Sequence, residues 1–112
     1  MLSHGNRITR GADYRSIVRG GDRCVGSSTV TYVVATAEDR SPRFGFIVSK
    51  QVGNAVTRNT VRRRLKAVCA EALPGVRLGA DVVIRALPSA ATADYSHLRD
   101  ELTRCLGRKA AA

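Results

Sequence analysis

The sequence predicts an α+β fold, a single domain in which one sheet is covered by helices. Three observations carry that expectation. The chain has 112 residues, enough for one core and too few for two domains of ordinary size. Period-two, β-branched stretches alternate with stretches of helical spacing. Their order reads helix, strand, strand, helix, strand, helix, with no internal repeat and no linker.

The first helix is expected from about Arg10 to Arg19, because Tyr14, Ile17 and Val18 share one side with Ile8. Thr9 is its candidate N-cap, and Gly20-Gly21 stops it. From Cys24 to Ala37 β-branched residues take over. Within that stretch Val30, Tyr32 and Val34 face one way and Thr29, Thr31 and Val33 the other, the pattern of a strand. A polar turn, Glu38 to Pro42, leads to a second strand, Arg43 to Ser49, expected to pair antiparallel with the first as a hairpin. After a loop from Gln51 to Ala55 a central helix runs to Leu73, where Pro74-Gly75 ends it. Asp81 to Leu87 is an apolar run closed by Pro88, hence a third, buried strand. Tyr95, Leu98, Leu102, Cys105 and Leu106 then mark a C-terminal amphipathic helix that frays at Gly107.

Charge narrows the function. Lys+Arg number 19 against Asp+Glu 9, a formal charge of +10 that calls for a polyanionic partner. No apolar run approaches the roughly 20 residues needed to cross a bilayer. The N-terminus lacks the apolar stretch of a signal peptide, so a cytoplasmic location is expected. Cys24, Cys69 and Cys105 are odd in number and widely spaced, which argues against a disulfide framework and a zinc site. They read as small core residues in a reducing compartment.

The strongest signal lies between Arg40 and Ala70, where there are eight basic residues and no acidic one. On a helical wheel Val61, Leu65, Val68 and Ala72 fall within about 60° of one another, while Arg58, Arg62, Arg63 and Lys66 occupy a neighbouring arc of about 140°. One face packs and the next is cationic. A merely solvated helix mixes signs at spacings of four; here Arg58, Arg62 and Lys66 repel one another unless a polyanion neutralises them. The Gly53-Asn54 loop and the helix start add backbone N–H groups suited to phosphate. The apolar arc carries no aromatic residue and is needed to cover the sheet, which argues against a membrane-surface role.

The ordered string Val48-Ser49-Lys50-Gln51-Val52-Gly53-Asn54-Ala55-Val56-Thr57-Arg58-Asn59-Thr60-Val61-Arg62-Arg63-Arg64-Leu65-Lys66 closely resembles the signature of the bacterial ribonuclease P protein family. In that family a strand ending in Val-Ser-Lys leads through a Gly-x-Ala-Val loop into a basic helix opened by Arg-Asn-Arg. The likeness extends to Arg7-Ile8, to Asp13 through Gly21 as an opening helix, to Tyr32 and to Asp81 through Pro88. Thr60 stands where the hallmark has its last Arg, Gln51 where a second Lys is usual, and Val18 where an aromatic is common.

A single domain is expected over residues 1–112, with 1–7 and 107–112 as flexible ends and some of Met1–Arg7 ordering only on RNA. The resemblance implies a central, mostly antiparallel sheet in α-β-β-β-α-β-α order, with a left-handed β-α-β crossover through the basic helix, as in ribosomal protein S5 domain 2-like folds. It also implies a protein subunit of ribonuclease P. Lys50, Asn54, Arg58, Asn59, Arg62, Arg63 and Lys66 match positions that bind the catalytic RNA subunit. Tyr14, Val18 and Tyr32 match a cleft for the 5′ leader of precursor tRNA. The RNA then performs a metal-dependent endonucleolytic cleavage, with Mg2+ held mainly by RNA and no cofactor on the protein alone. Neither membrane nor DNA is an expected partner.

Other readings remain beside this one. Tyr14 and Tyr32 also suit core aromatics with satisfied hydroxyls. A general RNA-binding or ribosomal protein would share the +10 charge and the basic helix. An autonomous nuclease needs paired catalytic groups, and the acidic residues are scattered, with His4 and His97 lacking apparent partners. The chain is therefore expected to assist catalysis and not to perform it.

Overall fold

A computed structural model describes residues 2–112 of the chain. In order come α1 (Gly11–Gly20), β1 (Asp22–Val25), β2 (Thr29–Val34), β3 (Arg43–Ile47), α2 (Ala55–Ala72), β4 (Asp81–Ala86) and α3 (Tyr95–Lys109). Short 3-10 turns occupy His4–Asn6, Leu73–Gly75 and Pro88–Ala91. This is the α-β-β-β-α-β-α order, with β1 the strand that residue patterns alone did not separate.

The four strands form one sheet in the order β1-β2-β4-β3. β1 pairs antiparallel with β2, β2 antiparallel with β4, and β4 parallel with β3. The hairpin expected between the strand at Thr29–Val34 and that at Arg43–Ser49 is thus corrected: β4 lies between β2 and β3. The reason is in β4 itself. Every residue of Asp-Val-Val-Ile-Arg-Ala except Arg85 is buried, and a run buried on both faces takes the centre of a sheet, where both of its edges are also hydrogen-bonded. The β3-α2-β4 segment becomes a crossover between parallel strands.

The two faces follow the alternation read in β2. Val33, Phe44, Val82 and Ile84 point into a core covered by α2 and α3, which contribute Val61, Leu65, Val68, Leu98 and Leu102. On the other face Val30, Tyr32 and Val83 pack with Ile8 and with Ile17 of α1. Burying each such Val or Leu contributes about 2 kcal/mol, an upper figure because unfolded chains already hide part of this surface.

Helix ends differ in part from expectation. Asn54 caps α2, its Oδ1 accepting from Thr57 N at 2.9 Å, and Asp94 caps α3 by accepting from His97 N at 2.8 Å. The N-cap of α1 is Arg10 and not Thr9, and no side chain caps it. α3 passes Gly107 and continues to Lys109, because Ala110 is buried and the end is held by neighbours. Arg77 N donates to Ala110 O, and Ala112 N to Gly75 O. At the other end Leu2 is buried, Asn6 Nδ2 donates to Pro42 O at 2.8 Å, and Ile8 N donates to Phe44 O. Leu2 to Ile8 at one end and Ala110 to Ala112 at the other thus make specific contacts with the body of the domain.

The cysteine expectation is also corrected. Cys24 of β1 and Cys105 of α3 form a disulfide across 81 positions of sequence, with Cα atoms 5.6 Å apart, and only Cys69 is free and buried. Spacing along the chain could not reveal a pair that the packing of α3 on β1 brings together. Beside it, Glu101 accepts hydrogen bonds from Ser27 N at 2.9 Å, Ser27 Oγ at 3.0 Å, Ser28 N at 3.2 Å and Thr29 Oγ1. Gly26 is required there, since a Cβ would fall inside the Glu101 carboxyl. Burial alone would raise this carboxyl's pKa, but the bonds from Thr29, Ser28 and Ser27 outweigh burial and hold it below its ordinary value.

Candidate nucleic-acid interface

The basic string divides once the fold is formed. Arg43 donates to both oxygens of Asp81, at 2.9 and 3.0 Å, and Arg40 Nη2 lies 3.0 Å from Asp81 Oδ1. Arg64 Nη1 donates to Ala93 O at 3.2 Å, tying α2 to the turn before α3. These three arginines serve the fold. Lys50, Arg58, Arg62, Arg63 and Lys66 have no acidic partner among the described residues. Those five are the cations that the sequence singled out.

α2 presents them because its other stripe is buried. Val61, Leu65, Val68 and Cys69 face the core, which turns Asn59, Arg62, Arg63 and Lys66 outward along a neighbouring stripe. These four line a groove of about 750 Å³ together with Arg7 and Leu2 of the N-terminal segment. Its floor includes Ala67 and Ala70, and Glu71 closes one end. Asn59 Oδ1 accepts from Arg62 Nη1 at 3.2 Å, which orients that guanidinium along the helix.

Lys50, Asn54 and Arg58 lie outside the groove, at the N-terminal end of α2. Lys50 is exposed and Arg58 is half-buried, with its Nε unpartnered among the described residues. Asn54 spends its side-chain oxygen on the cap, a structural role that positions the helix start. Thr60, where the hallmark has Arg, donates its hydroxyl back to Val56 O at 3.1 Å and so is satisfied within its own helix. Val56 beside it is 76% exposed, an unusual place for a large apolar side chain.

A second concavity, of about 450 Å³, lies on the opposite side of the sheet and is lined by Tyr14, Arg15, Val18, Arg19 and Ile47. The structure thus brings Tyr14 and Val18 together and does not bring Tyr32 to the surface: Tyr32 is 5% exposed and packs in the core beneath α1. Tyr14 is rigidly placed. Its hydroxyl donates to Ile8 O at 3.3 Å and accepts from Phe46 N at 3.2 Å. Gly45 makes room for its ring, since a Cβ there would come 2.5 Å from Tyr14 Cε1. A fixed ring edged by apolar side chains and two guanidinium groups suits stacking of unpaired bases.

Sequence reasoning missed Arg15, Arg19 and Ile47 at this cleft, and Arg7 and Leu2 at the groove. The spacing of Arg15 and Arg19 on one side of a helix was a usable signal. Arg7 and Leu2 carried none, because only long-range packing places them beside α2. Among the described residues no group of three or more His, Cys, Asp or Glu could hold a metal ion. Among the same residues no helix is long and apolar enough to cross a membrane.

With this geometry in hand, comparison with known proteins is decisive. Residues 2–110 match the sequence profile of the family described as Ribonuclease P. The chain belongs to that family. It is 49% identical over 108 residues to the ribonuclease P protein component of Clavibacter michiganensis, covering 96% of both chains. It is 48% identical over 120 residues to that of Micrococcus luteus, covering 96% of this chain and 90% of the other. The solved structure of the RNase P protein of Staphylococcus aureus superimposes with a TM-score of 0.81 at 25% identity, covering 92% of this chain and 93% of that one. The RNase P protein of Thermotoga maritima, 22% identical with a TM-score of 0.80, shares the fold.

Proposed function

We propose that this ribonuclease P family chain acts as the protein subunit of the ribonucleoprotein endonuclease that matures the 5′ end of tRNA. The RNA subunit binds along α2 and its preceding loop, and the 5′ leader of precursor tRNA lies in the α1 cleft. The observation that carries this reading is that, of the eight basic residues between Arg40 and Ala70, six have no acidic partner among the described residues, and five of these, all but Arg64, which bonds Ala93 O, are left to face outward within the family's hallmark string.

The physical contribution is electrostatic and positional. Each cation that replaces a condensed counterion favours association, and neutralised phosphates let two RNAs approach at lower metal concentration. Tyr14 offers a face for an unpaired base, and Arg15 and Arg19 flank it for phosphates. Tyr32 supports that cleft from beneath. The donor set for a divalent ion is supplied by RNA, since the protein's carboxylates are scattered or already committed, as Asp81 and Glu101 are. The chain would work in the cytoplasm, with no membrane or DNA partner.

Reconstitution with bacterial ribonuclease P RNA at low magnesium tests the reading. Leader removal should rise clearly above that of RNA alone, and an unchanged rate would sink the assignment. Co-purification mainly with ribosomal subunits would favour a general RNA-binding protein instead.

A further inference from the structure

The groove along α2 holds more than charge. Its cations surround an apolar floor, and that combination is not required for contacting a phosphate backbone alone. Ala67 and Ala70 are small and leave the helix surface open, while Leu2 supplies a wall from the N-terminal segment. Arg7, Arg62, Arg63 and Lys66 stand around the floor against a single carboxylate, Glu71, at one end. The wall is fastened independently of any ligand, by Asn6 Nδ2 to Pro42 O and Ile8 N to Phe44 O. The groove is therefore preformed, and its 750 Å³ accommodates a nucleotide with room for its flanking phosphates.

We propose that this groove seats one unstacked nucleotide of the ribonuclease P RNA subunit, its base against Leu2, Ala67 and Ala70 and its flanking phosphates on Arg7, Arg62 and Lys66. Charge complementarity selects the occupant: four cations favour a polyanion over a protein segment, and a lining without aromatic residues does not suit a lipid surface. Proteins that recognise RNA by sequence take unpaired bases because a base edge in an A-form helix is out of reach. Asn59 lines the groove, and its Nδ2, with no acceptor among the described residues, can donate to a base edge. The inference rests on the subunit assignment and adds a defined seat to it.

Ala67 is exposed, so Ala67→Trp fills the groove without touching the core or any charge. Holoenzyme reconstituted with wild-type protein, Ala67→Trp or the smaller Ala67→Leu is compared by RNA binding across a salt series and by chemical probing of nucleotide flexibility. Thermal unfolding of the free protein confirms folding of both variants. The wild-type protein should change the reactivity of one unpaired nucleotide of the RNA subunit. Ala67→Trp should erase that change and weaken binding about tenfold with the salt slope unchanged, and Ala67→Leu should do so to a smaller extent. Wild-type affinity and an undisturbed probing pattern in both variants would overturn the seat, as would a protected nucleotide found only in the precursor tRNA leader. Failure of the subunit assignment itself looks different: the wild-type protein would then give no gain in leader removal in the same samples.

Discussion

The α2 surface and the α3-β1 corner treat their polar groups in opposite ways. Along α2 the side chains of Arg58, Arg62, Arg63 and Lys66 find no acidic partner among the described residues. At the corner one carboxylate, Glu101, is met by four donors of the Ser27-Ser28-Thr29 segment, and a disulfide lies alongside. The difference shows where stability and binding reside. A site whose charges are satisfied internally holds the fold, and a site whose charges are left unmet is completed by a partner.

The contrast predicts that stability and RNA binding can be broken separately. The largest effect should come from Cys24→Ser with Cys105→Ser, because the bond closes a loop of 81 positions. About 4 kcal/mol of stability should disappear, read as a lower urea midpoint, with the salt slope of RNA binding unchanged for protein that is folded. Reduction of the wild-type protein should reproduce the loss.

Next is Glu101→Ala, which strands the two buried donors Ser28 N and Thr29 Oγ1 at a cost of about 3 kcal/mol. Glu101→Gln sharpens the point through pH. A carboxyl whose folded pKa lies below its unfolded value stabilises the fold above that unfolded value and loses its contribution as pH falls through the folded one. The wild-type protein should therefore lose stability relative to Glu101→Gln on acidification below pH 4.5, and a constant difference from pH 7 to pH 3 would refute this role for Glu101.

On the α2 side the joint replacement of Arg62, Arg63 and Lys66 by Ala should leave unfolding within about 0.5 kcal/mol of wild type. The same protein should lower the salt slope of RNA binding by about two units, which filter binding from low to moderate salt would measure. The smallest effect is expected from Thr60→Arg. Freed from its bond to Val56 O, that position should raise the slope by less than about one unit, and a drop in affinity would show that the surface there does not face RNA.

Local physics explains what could be read in the sequence. Val61, Leu65 and Val68 recur at helical spacing, so the buried stripe of α2 and its cationic neighbour were both legible, and the alternation of Val30, Tyr32 and Val34 correctly sorted β2 between two faces. Long-range pairing was not legible. Nothing near Val34 or Arg43 announces that Val82 and Ile84 will come between them, and Cys24 meets Cys105 only because α3 packs on β1. The same limit applied at the interface. Arg40 and Arg43 looked as available as Arg62 until the fold brought Asp81 between them.

The central place of β4 bears on how the protein is made. A chain leaves the ribosome from its N-terminus, so β3 emerges before β4, the strand it pairs with in the final sheet, and must wait until residues 81–86 arrive to complete that pairing. During that interval α2 has already been synthesised, with its apolar stripe uncovered and its cations facing the most abundant polyanion in the cell. Sheet closure by β4, together with docking of α3, marks the moment when the basic helix passes from a sticky nascent segment to a surface of defined shape.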